Sequence, residues 1–164
     1  MKRYILSAVI TLSASFAFAN LSAHSQLLAR SDTKARGNVD FTQVPEGLKI
    51  QYNLRNLPKN QTLGFHIHEN ADCFTKDARS AGGHFARVDS TGGTSLDNPA
   101  KYAGDLPSIQ SDGSGKASGT FVVPDLSIDE TKNSIVNRSI IVHGGPDDPN
   151  EKSAKRIACG VIQK

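Results

Sequence analysis

The chain has no tryptophan, few aromatic residues and no stretch of sustained helical periodicity, which points away from a helical fold. Only one long apolar run is present, at the start, and no second run could cross a membrane. Nor is there an excess of either charge. Lys2 and Arg3 precede an apolar stretch from Tyr4 to Phe18, and Ala17-Phe18-Ala19 has the small-x-small form that signal peptidase accepts. The stretch is short for a membrane span and is interrupted by Ser7, Ser13 and Ser15. Residues 1–19 are therefore expected to be a cleaved secretory signal, and residues 20–164 a single domain able to bury a core. Cleavage removes two of the 19 basic residues and none of the 16 acidic ones, leaving 145 residues with a net charge of +1. That balance argues against nucleic acid or an anionic membrane as the main partner.

Cysteine is scarce as well. Cys73 and Cys159 are the only two, and an exported chain places them in an oxidising compartment, so they are expected to form a disulfide. Closing a loop of that length contributes roughly 4–5 kcal/mol in the chain-entropy account.

The body of the chain reads as short strands. Gly37 to Val44 is one, and Pro45-Glu46-Gly47 a turn. Leu48, Ile50, Tyr52 and Leu54 then alternate with polar residues in a half-buried strand. Tyr102 to Ser111 and Lys116 to Val123 are expected to be strands joined at an Asp112-Gly113 hairpin turn. Ser139 to His143 is another, and Ala158 to Ile162 closes the chain. Residues 20–35 show no clear pattern, so His24 reads as part of a flexible tail. Between Asn70 and Ala100 the pattern also disappears, and a loop this long in a compact domain is usually functional or disordered. About eight strands with two long loops predict an all-β fold, an antiparallel Greek-key sandwich or barrel.

Histidine is used sparingly too. Apart from His24, the chain has only His66, His68, His84 and His143. Two of them share Gly64-Phe65-His66-Ile67-His68-Glu69, where alternation puts Phe65 and Ile67 on one face and both imidazoles on the other. Taken alone, a His-x-His strand is more often a solvated polar face. The concentration of so few histidines favours a shared metal site, with His143 at the end of its own strand. Four neutral imidazoles without a thiolate suit copper or zinc. A three-histidine zinc with an open position, served by Glu69 as a base, is the hydrolytic alternative.

Five motifs occur in order: Gly64-Phe65-His66-Ile67-His68, Ser80-Ala81-Gly82-Gly83-His84-Phe85, Ala103-Gly104-Asp105-Leu106, Val142-His143 and Arg156-Ile157-Ala158-Cys159-Gly160-Val161-Ile162. Together they resemble the copper/zinc superoxide dismutase family in its exported bacterial form. The resemblance implies an eight-stranded Greek-key barrel in the periplasm, monomeric or homodimeric, acting on superoxide. It implies that His66, His68, His84 and His143 hold copper, that Cys73 and Cys159 form the family disulfide, and that Arg156 guides the anion to the metal. Read without the motif, Arg156 is a surface salt-bridge partner.

The departures point to a copper-only variant. Asp105 matches the family's zinc aspartate, but Tyr102 stands where one zinc histidine belongs, and none occurs near Thr91-Gly92-Gly93 for the other. Zinc needs about four ligands, and His84 with Asp105 makes two. Asp89 and Asp97 are the spare carboxylates, although their spacing gives no reason to choose them. Only residues 144–155 stand where the family has a long charged guidance loop. Asp147 falls where an aspartate links the two metals' ligands, and it reads equally as a support for a copper ligand or as a turn cap. Without zinc, His84 would have its second nitrogen free and could take up a proton from solvent during turnover. The alternative reading is a non-catalytic periplasmic copper-binding protein.

Overall fold

The computed structural model describes residues 21–86, 102–129, 131–147 and 155–164. Residues 1–19, Asp89, Asp97 and the Thr91-Gly92-Gly93 stretch lie outside these. Nine strands are present among the described residues: β1 Ser22–Ala29, β2 Arg36–Val44, β3 Gly47–Arg55, β4 Thr62–Leu63, β5 Phe65–His68, β6 Ile109–Gln110, β7 Lys116–Val123, β8 Ser139–His143 and β9 Arg156–Val161. Seven form one antiparallel sheet in the order β5-β8-β9-β1-β2-β3-β7, while β4 pairs with β6. The sheet curls into a half-barrel. This is the all-β architecture expected from the strand pattern.

The curl has its seam at β1. Residues Ser22 to Leu27 pair with β2, and Leu28 and Ala29 pair with β9. This strand corrects the reading of residues 20–35 as patternless and of His24 as a tail residue. Ala23, Ser25 and Leu27 are buried while their neighbours face outward. Only one of those inner residues is a large hydrophobe, so the alternation escapes a hydrophobicity count. Small side chains are needed there because β9 packs close: a Cβ on Gly160 would meet Ser25 Oγ and the Gln26 carbonyl. His24 lies on the outer face with its Nδ1 2.9 Å from Asp40 Oδ1 on β2.

In β3, Leu48, Ile50 and Leu54 are buried and join Val39 and Phe41 of β2 in the main core. Each such burial stabilises by about 1.5–3 kcal/mol. β8 splits its residues between two apolar clusters. Ile140 and Val142 enter the main core, and Ile141 packs with Ala78, Ala81 and Cys159 on the other face.

Two expectations fail between residues 102 and 116. Of the stretch from Tyr102 to Ser111, only Ile109 and Gln110 form a strand. Residues 104–106 are instead drawn to the edge of β5, where Gly104 O accepts from Ile67 N at 2.9 Å and Leu106 N donates to Phe65 O at 3.3 Å. The Asp112-Gly113 turn does not make a hairpin, because β6 pairs with β4 and β7 with β3. The Asp112 carboxylate accepts the backbone N–H groups of Ser114 and Lys116 at 2.8 and 2.9 Å, so the turn becomes a corner between ladders.

Candidate metal centre

β5 lies at one end of the seven-stranded order, and its outer side is closed by two loop segments. Phe85 N donates to Ile67 O at 2.9 Å, and Gly104 N donates to Phe85 O at 2.9 Å. Residue 104 must be glycine for this lacing, since a Cβ would meet the Ile67 carbonyl and the Phe85 nitrogen. Bridges pair His68 with His84 and His66 with Asp105. On the other side of β5, the β8 ladder sets His66 opposite Ile141. A bulge after Val142 brings His143 to the same place, its N–H donating to Gly64 O at 2.8 Å.

His66, His68, His84 and His143 thus come together, each offering one nitrogen, and these four atoms lie within 4.8 Å of one another. His66, His68 and His143 are buried, and His84 is half-buried. The solvated-face reading of the His-x-His strand does not hold.

Hydrogen-bond partners settle which nitrogen faces inward. His68 Nδ1 is 3.1 Å from Gly82 O, a group that can only accept, so Nδ1 carries the proton. His68 Nε2 is then a buried lone pair with no partner. His66 reverses the pattern: Nε2 donates to the Asp147 carboxylate at 3.1 Å, and Nδ1 is the buried nitrogen without a partner. His84 Nδ1 donates to Asp105 Oδ1 at 2.7 Å, which frees Nε2. Buried lone pairs without hydrogen-bond partners are costly. A cation coordinated by these imidazoles would satisfy them, and a carbonyl or carboxylate behind each ring is the usual support for a metal-binding histidine. The donor set fits copper or zinc.

Burial pushes the His68 imidazole down to about 2, with the nearby Arg156 cation adding to the effect. His66 is also lowered, by burial first and then by His84, against the raising influence of Asp147. Both rings are therefore held neutral, as ligation requires. Below pH 6.5 the unfolded chain would bind protons on these residues that the folded chain refuses, so stability is complete above that pH and lost as pH falls. For His68 alone the slope is about 1.4 kcal/mol per pH unit. Urea melts of metal-free protein should therefore show at least about 2 kcal/mol less stability at pH 5 than at pH 7. Equal stabilities would contradict the burial of neutral rings.

Gly82 O has a second donor. Arg156 Nη2 reaches it at 2.8 Å, and Arg156 Nη1 reaches Ala78 O at 2.8 Å. One carbonyl therefore orients both a candidate ligand and the half-buried guanidinium next to it. Nothing in the sequence marks a carbonyl for this role beyond the Gly82-Gly83 pair before His84. The segment is anchored by the disulfide between Cys73 and Cys159, whose Cα atoms lie 5.8 Å apart across 86 residues.

Other residues read from the sequence take different places. Asp105 bonds directly to His84, whose second nitrogen is therefore engaged and not free. Tyr102 sets its ring edge-on to His84, with centroids 5.9 Å apart. Asp147 lies against Gly64, where a Cβ would displace it, and supports His66. The Glu69 carboxylate accepts the Gly83 N–H at 3.1 Å and so holds the His84 loop, which leaves it poorly placed as a hydrolytic base.

Residues 35–162 match the family described as copper/zinc superoxide dismutase. Superoxide dismutase [Cu-Zn] 2 of Aquifex aeolicus is 32% identical over 97% of this chain and 96% of its own length. A crystal structure of a SOD-like protein from Bacillus subtilis superimposes with a TM-score of 0.68 at 30% identity, over 84% of this chain and 95% of that one. The Cu/Zn superoxide dismutase of Brucella abortus gives a TM-score of 0.65 at 30% identity, covering 87% and 100%. With the histidine cluster and the curled sheet already in place, the family model and these relatives show that the chain belongs to the copper/zinc superoxide dismutase family.

Proposed function

We propose that this protein is an exported superoxide dismutase working at a single copper ion held by His66, His68, His84 and His143. The observation that carries the reading is the direct His84 Nδ1 to Asp105 contact of 2.7 Å. The two side chains that match the family's zinc set are bonded to each other, and Tyr102 occupies the neighbouring position. Nothing among the described residues adds a further zinc donor.

Copper bound here would supply one-electron chemistry, so that one superoxide is oxidised to oxygen and a second, with two protons, is reduced to hydrogen peroxide. His66 and His68 contribute as neutral donors with fixed tautomers. His84 releases and takes up a proton at Nε2 while Asp105 keeps Nδ1–H oriented. Arg156 presents a fixed cation beside His68 and attracts the anion without competing for the metal. Export is supported by the leader-like residues 1–19 and by the disulfide. On this reading the protein works in a bacterial periplasm.

The rival is a non-catalytic copper-binding protein. The two backbone bonds of Arg156 would give it a structural task on that reading. The test is elemental analysis and dismutation by wild type and Arg156→Ala after loading with excess copper and zinc. One copper, no zinc and a rate about 10-fold lower in the variant at low salt, with copper unchanged, are expected. A copper-loaded wild type without dismutation would favour the rival, and an active variant with an unchanged rate would remove Arg156 from the mechanism.

A further inference from the structure

Arg138 belongs to none of the motifs above, yet its side chain touches the residues that follow His68 and His84, and its main chain leads into the strand of His143. It immediately precedes β8, the strand that ends in His143. Its guanidinium carbon lies 3.4 Å from the centroid of the Phe85 ring, the residue after His84. Nη1 donates to the carbonyl of Glu69, the residue after His68, at 3.2 Å, and Nε donates to Ser134 O at 2.8 Å. The Arg138 carbonyl accepts Ile162 N at 2.9 Å, which fixes the base of the side chain against the end of the chain.

We infer that Arg138 is a positioning residue that sets where His84 stands relative to the His66–His68 strand. Other ties on the His84 loop are main-chain bonds at the edge of β5, the Gly82 carbonyl to His68 and Arg156, the Glu69 carboxylate on Gly83 N, Asp105 on the ring, and burial of the Phe85 ring in the main core. Main-chain bonds fix the height of the loop along β5. They leave the orientation of the Phe85 ring, and through it the tilt of the loop that carries His84, to side-chain contacts. A planar cation stacked on Phe85 and bonded to the Glu69 carbonyl fixes that tilt. Burial lowers the guanidinium from its usual value, and an arginine still keeps its charge there. Lysine cannot reproduce both functions, because its ammonium is a point charge that does not lie flat on a ring while bonding two carbonyls.

The inference rests on the copper reading, so the experiment has one arm with metal and one without. Arg138→Lys, Arg138→Ala and Phe85→Leu are compared with wild type. In copper-loaded protein, the parallel hyperfine splitting of the Cu(II) EPR spectrum should change in all three. Copper affinity by chelator competition should fall about 10- to 100-fold in the two arginine variants, the usual loss when an outer partner of a ligand is removed. In metal-free protein, hydrogen exchange at the Phe85 amide should accelerate about 10-fold, while amides in the β2–β3 ladder keep their wild-type rate. An Arg138→Lys protein matching wild type in both the EPR spectrum and Phe85 exchange would overturn the inference. If Arg138→Ala does not fold, Arg138→Lys and Phe85→Leu decide it. If wild type takes up no copper, the copper reading falls and Phe85 exchange alone judges Arg138.

Discussion

Replacing His68 with alanine should empty the protein of copper and abolish dismutation with it. His68 is fully buried, and its outward nitrogen is fixed by Gly82 O, so its inward nitrogen is the most rigidly aimed of the four. Loss of a supporting residue already costs about 10- to 100-fold in metal affinity, and loss of the ligand itself should exceed 100-fold. Copper content after dialysis against a competing chelator reads this directly. The variant carries an internal control as well. Metal-free His68→Ala should lose much of the acid sensitivity below pH 6.5, because the largest buried imidazole contribution has gone. A variant that keeps its copper, or an unchanged pH dependence, would mean that the ring does not occupy the position described. The contrast with Arg156→Ala matters here, since that change should spare copper and lower only the rate.

Breaking the disulfide should have the largest effect on stability. Cys159→Ser opens a bridge that closes a separation of 86 residues, worth about 4–5 kcal/mol in the chain-entropy account. For a domain of this size that corresponds to a Tm lower by about 15 °C. Copper binding should weaken too. The bridge anchors the segment from Cys73 to Gly82, whose carbonyls at Ala78 and Gly82 hold Arg156 and His68. Calorimetry with and without reductant, on wild type and Cys159→Ser, checks the first effect, and chelator competition the second. A reduced protein melting within a few degrees of the oxidised one would show that Ile141, Ala78 and Ala81 hold the segment unaided.

What could be read in advance follows from what side chains reveal. β3 and β8 were legible because large apolar residues mark their buried faces. β1 was not, because two of its buried residues, Ala23 and Ser25, are small, and Ser25 lies under Gly160. The Asp112-Gly113 corner looked like a hairpin because turn chemistry is local, whereas the choice of ladder partner is made elsewhere in the fold. The scarcity of histidine and the spacing of His66 and His68 pointed to one shared site for all four, and the ordered motifs matched the same residues. The Gly82 carbonyl and the reach of Arg138 were hidden: one is backbone, and the other works through neighbours of ligands.

The division of β1 between two partners also orders events in time. β2 and β3 are adjacent in sequence and can pair as soon as they emerge, with β7 adding to β3 later. The second half of β1 has to wait for β9, which arrives last of all. A chain delivered from its N-terminus therefore holds an unpaired edge beside a finished ladder until residues 156–161 appear, and non-local pairing of this kind is slow. Cys159 and Arg156 arrive on that same strand. Sealing of the sheet, oxidation of the thiols and docking of Arg156 on the Gly82 carbonyl beside the histidine cluster are thus joined in one late step.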